Sequence, residues 1–383
     1  MVNIIKNARI VTDGKLLDGH AIVVKDGVID AILPADSENL PKQAEIIDLQ
    51  GHYLSPGWID LHCHGAGGHE FIDGTREAIL AACNLHAAHG TRILYPTISA
   101  ADVPTIEKFL LALEECKNDT DLLIPGAHLE GPYLAVEMCG GQDPQYITAP
   151  VEKDYNAIID RFGDLIVRWD YAPERDDGTF QDALNAHHIV GSMAHSSAEY
   201  DDVLRALEHG CRLVTHLYSC TSTITRHQGF RHLGIIESAY LLDDIYVEAI
   251  ADGCHLPAEL MRLIVKGKGM EKVCLITDAI RHAGLTEITG QAGGTDSVPY
   301  IIEDGVAKLA DRTAFAGSIA TTDVLLKRTC QAGVPLPQVI RMMTKTPAEV
   351  MGLQQYGSIA PGYQACFTVF DENLQVLPNI PGM

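Results

Sequence analysis

Apolar and polar positions follow two different rhythms along this chain. Near the start they come in short runs broken by turn residues: Ile4–Val11, then Ala21 to Leu33 interrupted by Asp26-Gly27, then Glu45–Leu49. An Asp-Gly step between two β-branched runs is a hairpin signal. The stretch from Gly357 to Phe370 reads the same way, as a turn followed by a strand. Two β-rich ends around a different middle predict one small β domain built from residues 1–53 together with 350–383.

The middle, residues 54–349, alternates strand-like and helix-like segments. Trp58 to Cys63 is a buried strand with Asp60 as its only charge. Seven more strands are expected at Thr91–Ile98, Leu122–Leu129, Leu165–Ala172, Ile189–Ala194, Arg212–Thr215, Ile245–Ala251 and Val273–Thr277. Between them the helical rhythm predicts a helix capped by Thr75 and ended by Gly90. Others are expected at Val103–Cys116, at Phe180–Ala186, and from a Ser197 cap to Gly210. Eight such units make a (β/α)8 TIM barrel the expected α/β fold; an open, doubly wound sheet is the alternative, and eight units favour closure. Past the eighth strand, Tyr300–Leu309 holds a second Asp-Gly hairpin, expected as an insertion. Amphipathic helices at Thr322–Ala332 and Leu336–Met343 then return the chain to the β domain.

In a barrel of this kind the chemistry sits at the C-terminal ends of the strands. Those ends carry, in order, His62 and His64, then Thr97, Glu130, Glu174, His195, His216, the Asp252/His255 pair and Asp278. His62 and His64 are two apart on a strand, so both imidazoles face one side while Cys63 faces the other. Gly65, Gly67 and Gly68 leave open space beside them. Taken singly, His195 and His216 are each better explained as hydrogen-bonded core histidines. A carboxylate that ends an apolar strand, as Glu130 and Asp278 do, needs a cation or several donors. Taken together the set predicts a metal centre. His62, His64 and Asp278 can surround one divalent ion and His195 and His216 a second, with Glu130 between them. Such an ion supplies a Lewis acid and a water of pKa about 7, and Asp278 is placed to move a proton to a leaving amine. The expected reaction is hydrolysis of an amide or related C–N bond.

Charge and composition narrow the partners. The formal net charge is −23 over 383 residues, which excludes nucleic acid and anionic membrane surfaces as natural partners. It does not exclude a small anionic substrate, which one local arginine can hold. The ten cysteines show no paired CxxC spacing and are expected as reduced thiols of a cytoplasmic protein. No signal peptide and no membrane span is expected.

The motifs that carry this chemistry resemble those of the amidohydrolase superfamily, and within it the N-acetylglucosamine-6-phosphate deacetylases. They are the run from Pro56 to Gly65, His128-Leu-Glu-Gly-Pro-Tyr, Ala194-His-Ser, Thr215-His-Leu-Tyr, Asp252-Gly-Cys-His, Thr277-Asp-Ala, Ala316-Gly-Ser and Gly357-Ser-Ile-Ala-Pro-Gly. The resemblance implies a barrel with a β-sandwich made from both termini, usually as a homodimer. It implies an amino-sugar phosphate substrate, with Glu130, His195 and His216 as the principal metal site and Asp278 as acid/base. It also implies that His255 contacts the sugar or its acetyl carbonyl. The ion implied is zinc foremost, with iron(II) or manganese as alternatives. Because His62 and His64 are present, one or two ions per subunit are expected. The chain also departs from the family pattern. Ser219-Cys220 stands where an Asn-Ala pair helps hold phosphate, and Gln142 falls where a Gly-x-His run is usual. Arg226, with His227 beside it, takes the phosphate-binding place if one residue is missing before it, while Arg231 competes. An exposed polar loop is the other reading of that stretch.

Overall fold

The computed structural model describes residues 1–286, 288–294 and 298–380. Its centre is an eight-stranded parallel sheet whose strands neighbour one another in chain order. We label them β1 (Trp58–Cys63), β2 (Thr91–Ile98), β3 (Ala127–Glu130), β4 (Ile166–Tyr171), β5 (Val190–Met193), β6 (Leu213–Val214), β7 (Tyr246–Ile250) and β8 (Val273–Ile276). The ring closes just beyond β8, where the Asp278 amide donates to the His62 carbonyl at 2.9 Å and the His64 amide donates to the Ala279 carbonyl at 2.7 Å. Eight parallel strands joined in this way form the expected barrel and not the open sheet. β3 is shorter than expected: Leu123 makes only a single bridge to Ile93, and regular pairing begins at Ala127.

The helices lie where the apolar spacing puts them. α1 (Arg76–Ala88) is capped by the Thr75 side chain, which accepts from the Ala78 amide. α2 (Val103–Cys116) is capped by Asp102 and buries Ile106, Phe109, Leu110, Leu113 and Cys116, one stripe at helical spacing. α3 (Glu152–Phe162) and α4 (Thr179–Ala186) follow β3 and β4. α5 (Tyr200–Glu208) corrects the Ser197 cap: the N-cap is Glu199, in a capping box with Asp202. Ser197 is unavailable because its amide and hydroxyl both donate to Glu174, at 2.7 and 2.9 Å.

Two four-stranded sheets stand beside the barrel. One orders the segments Val28–Pro34, His20–Lys25, Val2–Lys6 and Glu45–Asp48; the other orders Phe367–Phe370, Tyr53–Pro56, Arg9–Thr12 and Lys15–Leu17. Ile5, Ile22 and Val24 of the first meet Ile10, Leu54, Phe367 and Val369 of the second in one buried cluster. Asp26 and Gly27 turn the first hairpin with φ of 50° and 80°, the left-handed pair that a two-residue turn requires. The same step at Asp304-Gly305 turns part of a four-stranded sheet running from Ala292 to Gly317, inserted after β8. Among the described residues no helix is long and apolar enough to cross a membrane.

Candidate active site

The residues that end β3, β5, β6 and β8 converge. Glu130 Oε1 lies 3.0 Å from His195 Nε2 and 2.9 Å from His216 Nε2, and the two nitrogens are 3.2 Å apart. Each ring's other nitrogen is already engaged: His195 Nδ1 donates to the Met138 carbonyl at 2.8 Å, and His216 Nδ1 to the Ser219 carbonyl at 3.0 Å. A carbonyl oxygen only accepts, so in the neutral rings Nδ1 carries the hydrogen and Nε2 presents a bare lone pair. Two lone pairs and a carboxylate oxygen aimed at one point repel unless a cation lies among them. His195, His216 and Asp278 all have left-handed backbones, with φ of 41°, 33° and 49°. Such a conformation costs a side-chain-bearing residue roughly 1–2 kcal/mol. Here it turns the side chains from the strand direction into the barrel mouth.

A second group abuts the first. His62 Nε2 and His64 Nε2 are 3.1 Å apart, with Asp278 Oδ1 at 3.5 and 3.2 Å from them. Glu130 Oε2 lies 3.5 Å from His62 and 3.1 Å from His64, so the carboxylate faces one cluster with each oxygen. Burial alone raises both acids, yet His62 and His64 hold Asp278 down at about 2, and His62 holds Glu130 well below the usual carboxylate range. In reverse, burial disfavours a charged His64, but Asp278 and Glu130 lift it to about 9. Both clusters are N/O donor sets of the type that hold first-row divalent ions, their ligand atoms all within 4.8 Å of one another.

Beneath the clusters lies a layer of buried charge. Arg168, fully buried on β4, pairs with Asp170 on its own strand and with Glu248 on β7. Asp170 Oδ1 stands 2.9 Å from His128 Nε2, whose Nδ1 lies 2.9 Å from the Thr97 hydroxyl. Glu248 stands 3.6 Å from His62 Nδ1. Asp60 accepts from the Thr277 hydroxyl at 2.6 Å and so ties β1 to the end of β8. Arg168, Asp170 and Glu248 are absent from the strand-end reading because they lie one layer down. The signal was present: Arg168 and Asp170 are two apart in an otherwise apolar strand, hence on one face.

A cavity of about 860 Å³ opens above the clusters, lined in part by His64, Glu130, His195, His216 and Asp278. His255, Ser219 and Cys220 also line it. His255 Nδ1 lies 2.7 Å from Asp252 Oδ2, and its ring packs against Phe315 of the insertion. Gln142 reaches the wall too, but both ends of its amide are engaged: Nε2 donates to Glu130 Oε2 at 2.6 Å and Oε1 accepts from the Ala100 amide at 2.7 Å. At 4% exposure it supports Glu130 from the cavity wall. Arg226 and His227 are not among the lining residues. They sit on an exposed hairpin, Thr225–His227 paired with Phe230–His232, where His227 is taken by Glu199 at 2.6 Å. Glu174 points away from both clusters, accepting from Ser196 and Ser197.

A parallel barrel with histidines and carboxylates gathered at its C-terminal rim defines the class of metal-dependent (β/α)8 hydrolases. Residues 53–383 match the amidohydrolase family, and residues 4–54 match the NagA composite domain. The chain belongs to the amidohydrolase family. It is similar to the N-acetylglucosamine-6-phosphate deacetylase of Haemophilus influenzae, 29% identical over 378 residues, covering 98% of this chain and 96% of the relative. It is likewise similar to an N-acetylgalactosamine-6-phosphate deacetylase of Shewanella, 28% identical with 97% and 92% covered. Among solved structures, the N-acetylglucosamine-6-phosphate deacetylase of Pasteurella multocida superposes with a TM-score of 0.89 at 30% identity, covering 98% of this chain and 97% of that one.

Proposed function

We propose that this protein hydrolyses the acetamide of N-acetylglucosamine 6-phosphate to glucosamine 6-phosphate and acetate. The observation that carries the reading is the convergence of His195 Nε2, His216 Nε2 and Glu130 Oε1 on one point, within 3.2 Å of one another. Glu130, His195 and His216 would hold the principal ion, and His62, His64 and Asp278 a second, with Glu130 shared between them. Zinc suits this donor set best, although iron(II) and manganese accept the same ligands. When bound, the ion supplies Lewis acidity to the acetyl carbonyl and acidity to a water. Asp278 then does the proton work. Held ionised beside His62 and His64, it takes the proton of the attacking water and hands it to the departing amine nitrogen. His255, oriented by Asp252, presents its other ring nitrogen to the sugar or its acetyl group. Ser219 and Cys220 line the wall where the resemblance puts phosphate recognition.

Arg226 lies on the exposed hairpin, outside the lining of its own chain's cavity. It pairs across the hairpin with Arg231, and neither guanidinium has a carboxylate partner among the described residues. The role of Arg226 at the 6-phosphate rests on the family pattern, which also implies a homodimer. The ten free cysteines support a reducing, cytoplasmic setting.

The test is acetate release from N-acetylglucosamine 6-phosphate, its galactosamine epimer and unphosphorylated N-acetylglucosamine, with and without a chelator. The glucosamine phosphate should be the best substrate, and activity should vanish on chelation and return with zinc. Full turnover by the stripped protein would overturn the metal role, and preference for the epimer or the free sugar would overturn the substrate.

A further inference from the structure

The exposed hairpin carries, on its histidine face, chemistry that the barrel does not use. Its register pairs Thr225 with His232, Arg226 with Arg231 and His227 with Phe230, around a two-residue Gln228-Gly229 turn with φ of 51° and 90°. Directly paired residues share a face and neighbours along a strand alternate, so His227 and His232 lie on one face and both arginines on the other. The histidine face meets Glu199, the N-cap of α5. His227 Nε2 is 2.6 Å from Glu199 Oε1 and His232 Nδ1 is 3.3 Å from Glu199 Oε2, while the two rings stand edge to face at 4.6 Å.

We propose that Glu199, His227 and His232 form a separate surface site for a zinc-class divalent ion, which pins this hairpin to the start of α5. The three ligand atoms already lie within 4.8 Å of one another. Around a tetrahedral ion with bonds of about 2.0–2.1 Å, ligand atoms are roughly 3.3 Å apart. Closing the set therefore takes side-chain adjustments of about 1.5 Å at most. His227 is 60% exposed in its side chain and His232 41%, so their rotamers are free to make that change. Two imidazoles and one carboxylate select zinc, copper or nickel over calcium or magnesium. Solvent on the outer side supplies the remaining position. An ion on the histidine face would also set the direction in which Arg226 and Arg231 point, because they are the other side of the same two strands.

The site is tested on the holoenzyme with its barrel ions in place, by titrating zinc against a chromophoric chelator. Wild-type protein should bind one more zinc per chain than His232→Ala, with micromolar affinity, and Glu199→Gln should weaken that ion by at least about tenfold. Hydrogen exchange across residues 224–232 should slow on adding zinc to wild type and stay unchanged in His232→Ala. Equal zinc stoichiometry and affinity in all three proteins would overturn the proposal. So would a wild-type hairpin whose exchange ignores zinc, and that readout decides even if a variant folds poorly. The outcome does not depend on which sugar the barrel accepts.

Discussion

Replacing Gln142 by leucine separates a support for Glu130 from a substrate contact. The side chain makes two bonds, donating to the Glu130 carboxylate at 2.6 Å and accepting from the Ala100 amide at 2.7 Å. Leucine keeps the volume and removes both. The bond to an ionised carboxylate contributes roughly 1.5–3 kcal/mol, and a buried amide left without an acceptor costs about 1–3 kcal/mol more. Solvent in the adjoining cavity recovers part of this, so a net loss of about 3 kcal/mol is expected. At about 2.1 cal/mol/K per residue, the entropy of unfolding for 383 residues is roughly 0.8 kcal/mol/K, which converts that loss to about 4 °C in Tm. The sharper effect falls on the ion. Groups that orient a ligand typically change metal affinity by 10- to 100-fold when removed. Competition against a chelator should therefore show Gln142→Leu losing zinc about 10- to 100-fold more readily, while KM measured at saturating zinc stays within about twofold. Unchanged zinc affinity together with a large rise in KM would refute the argument and return Gln142 to the substrate.

Asp278→Asn should retain zinc at Glu130, His195 and His216 and unfold near the wild-type temperature, yet lose about 10²- to 10⁴-fold in kcat; near-normal turnover removes Asp278 from the proton transfer. Arg168→Met strands Asp170 and Glu248 inside the barrel and should cost about 3–5 kcal/mol, seen as a fall of roughly 4–6 °C in thermal unfolding; a shift under about 1 °C would mean the network is not held by that guanidinium. Arg226→Ala should raise KM for the phosphorylated substrate far more than for its unphosphorylated analogue, and equal effects on both would take phosphate binding away from Arg226.

What could be read from sequence was set by distance along the chain. A strand's period of two fixes which residues face inward, and a barrel puts strand ends on one rim. His62, His64, Glu130, His195, His216 and Asp278 were therefore identifiable from local pattern alone, and the structure brings all six together. Helix α1 was legible for a similar reason, since Thr75 caps from the adjacent position, and α2 was legible as an apolar helical span. The misread cap is a contest settled by tertiary contacts. Ser197 is a good capping residue, but Glu174 claims it and Glu199 caps instead. The partners of Gln142 were not legible either, because Ala100, 42 residues away, and Glu130 hold its amide. The placing of Arg226 on a hairpin outside its own cavity lining was not legible, since no local spacing reports that direction.

The strand Phe367–Phe370 completes its sheet by pairing antiparallel with Tyr53–Pro56, and the Trp58 amide reaches across 310 residues to the Thr368 hydroxyl. A ribosome adds about 5–20 residues per second. The early half of that sheet therefore waits on the order of 15–60 s for its last strand, longer than most domains take to fold. Throughout that interval Tyr53–Pro56 is an open edge that can recruit strands from neighbouring nascent chains. Yield in a cell should then depend on elongation speed and chaperone supply more than on the stability of the finished barrel.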